Sequence, residues 1–195
     1  MIKIEDCIYT SCYCEENVYK LIESYPGNKD DISAIFISNP RKQCVIWCQK
    51  KSEEPMVEPV VWDYHVVAVA KDVNSDSRFI YDLDTVLPFP CPFETYISQC
   101  FRPKHPHIDS FYLDFASRSG HYFRPISGSQ YLETFSSDRS HMIDKSSGKW
   151  LSPPPSYDPI FKSDLGHNLQ DFLSFSNNSV AGQWMAGDEL VDSFK

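Results

Sequence analysis

The run Val60-Val61-Trp62-Asp63-Tyr64-His65-Val66-Val67-Ala68-Val69-Ala70, followed after the polar gap Asn74-Ser75-Asp76 by Phe79-Ile80-Tyr81-Asp82-Leu83-Asp84, decides the fold. Both runs are rich in β-branched and aromatic residues, and the turn-forming gap between them predicts a hairpin. Working outward, the strands are expected over residues 57–70 and 78–87, with two earlier ones at 32–38 and 44–49. Asn39-Pro40 and the charged loop at 50–55 separate them, so the four predict an antiparallel meander.

Such a sheet needs a cover on its apolar face. Residues 10–23 supply one: Val18, Leu21, Ile22 and Tyr25 recur at helical spacing, Thr10 or Ser11 is placed to cap, and Pro26-Gly27 stops the helix. Glu15 and Glu16 fall in or near the first turn, where negative charge is favourable. The class expected is therefore α+β, an antiparallel sheet packed against an N-terminal helix. Shorter helices are expected at 93–101, 129–135, 169–175 and 187–194, and Pro153-Pro154-Pro155 reads as an extended surface stretch. A chain of 195 residues fits one domain with a real core, spanning 1–195.

Apolar residues at 42% and aromatics at 14% describe a folded chain. A net charge of -9, with its one dense basic stretch at Gln49-Lys50-Lys51, argues against a nucleic-acid surface and tolerates cationic ligands such as a peptide α-amino group. The N-terminus has no basic start, apolar stretch or cleavage site, and the aliphatic run 66–70 is too short to span a bilayer. The expectation is a soluble protein of the cytoplasm, and of the nucleus as well, with no membrane contact. Seven cysteines without a signal peptide read as reduced thiols, one of which can be a nucleophile.

Cys12 and Cys14 lie at the helix start, where partial positive charge and free backbone N–H groups favour a thiolate and can hold an oxyanion. Strand parity puts Asp63 and His65 on one face, with Trp62 and Tyr64 on the other. If the hairpin turns between Asn74 and Ser75, His65 faces Asp84, while Asp82 faces Val67, one diagonal step from His65. Either acid can orient the imidazole, and a one-residue slip would remove both. Cysteine on a helix, histidine on a strand and an acid on the next strand form an arrangement of the papain and transglutaminase kind. Residue 8 is Ile, so the oxyanion-donating glutamine six positions before a papain-like nucleophile is missing.

At these residues the chain resembles the protein N-terminal glutamine amidohydrolase family, recognised by Trp62-Asp63-Tyr64-His65-Val66. The likeness takes in residues 11–17 (Ser-Cys-Tyr-Cys-Glu-Glu-Asn), 34–39, 79–90 and 135–142, and it is loose beyond Pro155. It implies Cys14 as nucleophile, His65 as its base and Asp82, rather than Asp84, as the acid. It also implies the reaction: a Cys14 thiolate, held by His65, attacks the side-chain carboxamide of an N-terminal Gln. Ammonia leaves, and water hydrolyses the thioester to N-terminal Glu. The implied enzyme is a monomer that needs no metal or organic cofactor. Its partners are proteins and peptides with N-terminal Gln, and its product feeds the arginylation and ubiquitin steps of the N-degron pathway.

Reading a terminal residue requires a group for the α-amino end, and Asp63 and Asp84 are the candidates. The rival activities are a transglutaminase, a thiol protease and a non-catalytic adaptor that binds N-termini. A zinc site from Cys7, Cys12 and Cys14 lacks paired C-x-x-C knuckles. His105 and His107 read as surface residues, and Asp138, Arg139 and His141 as either structural or substrate-contacting groups.

Overall fold

The apolar stretches at 32–38 and after His65 become β1 (Ile32–Ser38) and β4 (His65–Lys71), each buried on both faces along nearly its whole length. In the computed structural model, which describes residues 1–72, 75, 77–101, 106–177 and 179–194, they form the centre of a six-stranded antiparallel sheet. β5 (Arg78–Tyr81) and β6 (Cys91–Pro92) extend it beyond β4, and β7 (Tyr122–Ser127) and β8 (Met185–Ala186) extend it beyond β1. β2 (Cys44–Ile46) and β3 (Val60–Trp62) pair apart, as a two-stranded ribbon.

The α+β class with an antiparallel sheet is therefore present, but the meander is not: β1 pairs with β4 and β7, never with β2. The cause lies in Asp63. Its carboxylate accepts the N–H of Tyr64 at 3.0 Å, and its carbonyl accepts the Ser38 hydroxyl at 2.9 Å. The expected strand at 57–70 breaks there, and the two pieces join different sheets. The hairpin ladder pairs Ala68 with Tyr81 and Lys71 with Arg78, the register that a turn between Asn74 and Ser75 produces. Asn74 itself lies outside the described residues.

Parity divides the core in two. α1 (Cys14–Ser24), α4 (Gly128–Thr134) and α5 (Leu169–Leu173) cover one face, packing Val18, Leu21 and Ile22 on Phe36, Val66 and Ala68. α2 (Phe93–Phe101), α3 (Ser110–Ser119), α6 (Gly187–Ser193) and the ribbon cover the other, where Ile35, Ile37, Val67 and Val69 meet Trp47 and Tyr96. The single cover expected from α1 is thus one of two. Each of these aliphatic side chains contributes about 1.5–3 kcal/mol on burial.

α2 has the expected bounds, and α4, α5 and α6 begin and end within two residues of theirs. α3 has no counterpart in the sequence reading: only Ala116 and Ser119 of its residues are buried, too few to make an apolar stripe. α1 begins at Cys14, later than expected, and neither Thr10 nor Ser11 caps it. Instead the Asn17 side chain closes the preceding turn, its Oδ1 accepting Thr10 N–H at 2.9 Å and its Nδ2 donating to Thr10 O at 2.8 Å. All seven cysteines are free thiols, five of them buried. Among the described residues no helix is long and apolar enough to cross a membrane.

Candidate active site

Three elements converge where β4 begins. Cys14 is the first residue of α1, His65 the first of β4, and Asp82 follows the end of β5. Starting both α1 and β4 at these residues brings them to one end of the sheet, and the Cys14 sulfur lies against the N–H of Val66, next to His65.

His65 Nε2 and Asp82 Oδ1 are 3.0 Å apart, fully buried. The same oxygen accepts the N–H of Asp84 at 2.9 Å, while Oδ2 accepts the Tyr96 hydroxyl at 2.7 Å and Gln49 Nε2 at 3.2 Å. Burial works to raise the Asp82 carboxyl, but the His65 charge and these donors outweigh it and hold the group below the usual carboxylate range. An ionised Asp82 only accepts hydrogen bonds, so Nε2 of His65 carries a proton. Nδ1 is left buried with no hydrogen-bond partner. For His65 burial works downward, yet the Asp82 carboxylate raises its pKa above 6.5.

Hairpin parity allows either Asp82 or Asp84 beside His65; the ring hydrogen bond goes to Asp82. Asp84 is close by, its carboxylate accepting the Tyr9 hydroxyl at 2.6 Å. His65, Asp82 and Asp84 place three ligand-capable atoms within 4.8 Å of one another. A cation bound to all three would compete with the His65–Asp82 hydrogen bond.

Trp62 departs from its expected face. Because β3 and β4 are separate strands, parity does not carry across Asp63, and the Trp62 ring stacks on His65 with centroids 5.1 Å apart. The Lys51 ammonium lies 5.3 Å over its centroid. Asp63 shares no strand face with His65 for the same reason, and it sits exposed. A pocket of about 330 Å³ opens here, lined by Cys14, Trp62, Asp63, Tyr64, Asp84 and His141 among others.

The surroundings of the Cys14 sulfur disfavour its anion. Burial pushes Cys14 well above 9.0, the carboxylates of Glu15 and Asp84 push the same way, and the Val66 N–H opposes them. Desolvation and two acids thus act against the stabilisation that the helix start offers a thiolate.

Glu15 and Glu16 do not lie on a solvated first turn; both are wholly buried. Glu16 takes Arg139 Nε and Nη2 at 2.8 and 2.7 Å, while Nη1 reaches Tyr157 O at 3.0 Å, tying residues 155–158 to α1. Arg139 is structural by these contacts. Glu15 Oε2 accepts the Tyr64 hydroxyl at 3.0 Å and lies 3.6 Å from Cys14 Sγ. His141 Nε2 stands 3.3 Å from Glu15 Oε1, and Asp138 pairs with His167 at 3.1 Å. The sequence points to no site role for Tyr96 or Gln49, and it places Glu15 only as a first-turn acid. Glu15 had a signal, its place beside Cys14; Tyr96 and Gln49 are remote in sequence and had none. His107 is exposed, and His105 lies outside the described residues.

The profile of the N-terminal glutamine amidase family matches residues 9–194. The protein N-terminal glutamine amidohydrolase of Bos taurus is 48% identical over 193 residues, covering 96% of this chain and 87% of its own length. That of Homo sapiens is 47% identical over 173 residues, 86% of this chain and 78% of its own. That of Danio rerio is 41% identical over 192 residues, 96% and 89% respectively. With its pocket, its buried imidazole and carboxylate, and matches running nearly end to end, this chain belongs to the N-terminal glutamine amidase family.

Proposed function

We propose that the chain is a cysteine amidohydrolase of papain-like or transglutaminase-like character, converting the N-terminal Gln of proteins and peptides to Glu with release of ammonia. The observation that carries it is the pairing of His65 Nε2 with Asp82, which leaves Nδ1 unpaired and basic at the end of β4 where Cys14 opens onto the pocket. His65 takes the Cys14 proton as sulfur bonds to the carboxamide carbon, and returns it to the departing nitrogen, giving a thioester and ammonia. Water then gives a proton to His65 and attacks the thioester; the C–S bond breaks and Cys14 is reprotonated. Asp82 keeps the ring in one tautomer and stabilises its charged form.

Asp63, at the pocket rim, and Asp84, deeper in it, are the two groups proposed to read the α-amino end. The product Glu terminus is the kind of end that arginylation and ubiquitin-dependent degradation act on, in cytoplasm and nucleus, and the enzyme works there as a monomer. The test offers three peptides, starting with Gln, N-acetyl-Gln and Asn, and follows ammonia and peptide mass. Ammonia from the first alone supports the reading. Chain cleavage, amine incorporation or binding without turnover would replace it with protease, transglutaminase or adaptor.

A further inference from the structure

We propose that Asp84 seats the substrate's α-ammonium group and that Glu15, lying behind Cys14, is an electrostatic lock on the nucleophile which that ammonium releases. The proposal rests on the reading of the site as an N-terminal glutamine amidase and adds to it a cause for specificity: the charge being recognised is the charge the nucleophile lacks.

The buried acids around the nucleophile divide by partner. Asp82 is offset by His65 and Glu16 by Arg139. Glu15 and Asp84 form no ion pair with Lys or Arg among the described residues; Lys50, which acts on Asp84 less than His65 does, gives its hydrogen bond to Leu83 O. Glu15 Oε1 is buried without a hydrogen-bond partner, with His141 Nε2 3.3 Å away on the pocket side. Glu15 Oε2 is 3.6 Å from the Cys14 sulfur, and Asp84 borders the pocket beside it. A thiolate formed here faces two carboxylates, with the Val66 N–H acting against them and His65 and His141 as the neighbouring titratable bases. Both acids and the burial of the thiol disfavour the Cys14 thiolate.

The missing cation fits the substrate's shape. The α-nitrogen of Gln lies roughly 5 Å from its side-chain carbonyl carbon in an extended rotamer. With that carbon at an attack distance of roughly 3–3.5 Å from sulfur, the ammonium stays within the pocket whose wall Asp84 helps to form, with Glu15 buried behind the sulfur. A peptide with a blocked terminus then arrives without the charge and suffers in kcat as well as KM. Glu15 acts through Cys14 and is a positioning residue; Asp84 is a specificity contact.

The experiment measures two quantities on Glu15→Gln, with Asp84→Asn as the second variant should the first not fold. One is the rate of Cys14 alkylation by iodoacetamide near neutral pH, followed by peptide mapping with buried Cys91 as the control for opening of the fold. The other is the kcat ratio between a Gln-initiated peptide and the same peptide lacking only its α-amino group. The expected result is Cys14 alkylation at least about threefold faster than in the unsubstituted protein, Cys91 unchanged, and a smaller kcat ratio. Alkylation no faster, or rising together with that of Cys91, overturns the proposal, as does an unchanged ratio. If the unsubstituted protein releases no ammonia from the Gln peptide, the functional reading fails on its own, separately from the alkylation result.

Discussion

Nε2 of His65 lies 3.0 Å from Oδ1 of Asp82, and neither side chain is more than 1% exposed. The pair is therefore screened by neither water nor salt, and it sets the protonation state of the base. Because the His65 pKa stands above 6.5, the neutral ring that accepts the Cys14 proton appears only as pH rises through that raised value. The acid limb of kcat/KM is accordingly expected above 6.5. Asp82→Asn removes the supporting charge, moves the limb downward and lowers kcat by up to about 10⁴, as loss of the acid does in a serine triad. A limb near about 4 would instead mean a preformed thiolate–imidazolium pair.

Tyr96 donates to the other oxygen of Asp82 at 2.7 Å, leaving Gln49 the weaker partner at 3.2 Å. Tyr96→Phe should cost about 1.5–3 kcal/mol of stabilisation of the carboxylate, about tenfold or more in kcat/KM, with little change in KM. Full activity in this variant would show that Asp82 is held well enough without it.

The Arg139–Glu16 pair is bidentate and buried, with its remaining donors on backbone carbonyls of the C-terminal stretch. Removing one partner strands a charge in the core. Glu16→Gln should lose about 3–5 kcal/mol in denaturant unfolding, and the double variant Glu16→Leu with Arg139→Met less than the two single losses added together. Strict additivity would contradict the coupling.

The cluster of His65, Asp82 and Asp84 invites a metal test. In the proposed chemistry His65 moves a proton, Asp82 orients it and Asp84 meets the substrate, none of which needs a metal, so prolonged chelation with dialysis should leave ammonia release unchanged. Loss of activity restored by one divalent cation would reassign the cluster.

The sequence carried the parts of this site that local rules govern. Alternation and a turn signal located β4, β5 and their register, and helical spacing located the buried face of α1. The meander failed because Asp63 turns the chain by hydrogen bonds to Tyr64 and Ser38, and the latter is distant in sequence. The same break put Trp62 on the His65 ring, against strand parity. Glu15 and Glu16 were legible as first-turn acids, but their burial depends on Arg139, Tyr64 and His141, which only the folded chain brings to them. Resemblance chose Asp82 where periodicity left two acids; Tyr96 and Gln49, which complete its hydrogen bonds, had no local pattern.

The central claim is that Cys14 forms the covalent bond. Cys12, two residues earlier, lies on the same pocket and is the natural control. Ammonia release from a Gln-initiated peptide should be abolished in Cys14→Ser and retained in Cys12→Ser, with a peptide–enzyme thioester trapped by acid quench only when Cys14 is present. Equal loss in both variants, or turnover surviving in Cys14→Ser, would contradict the account.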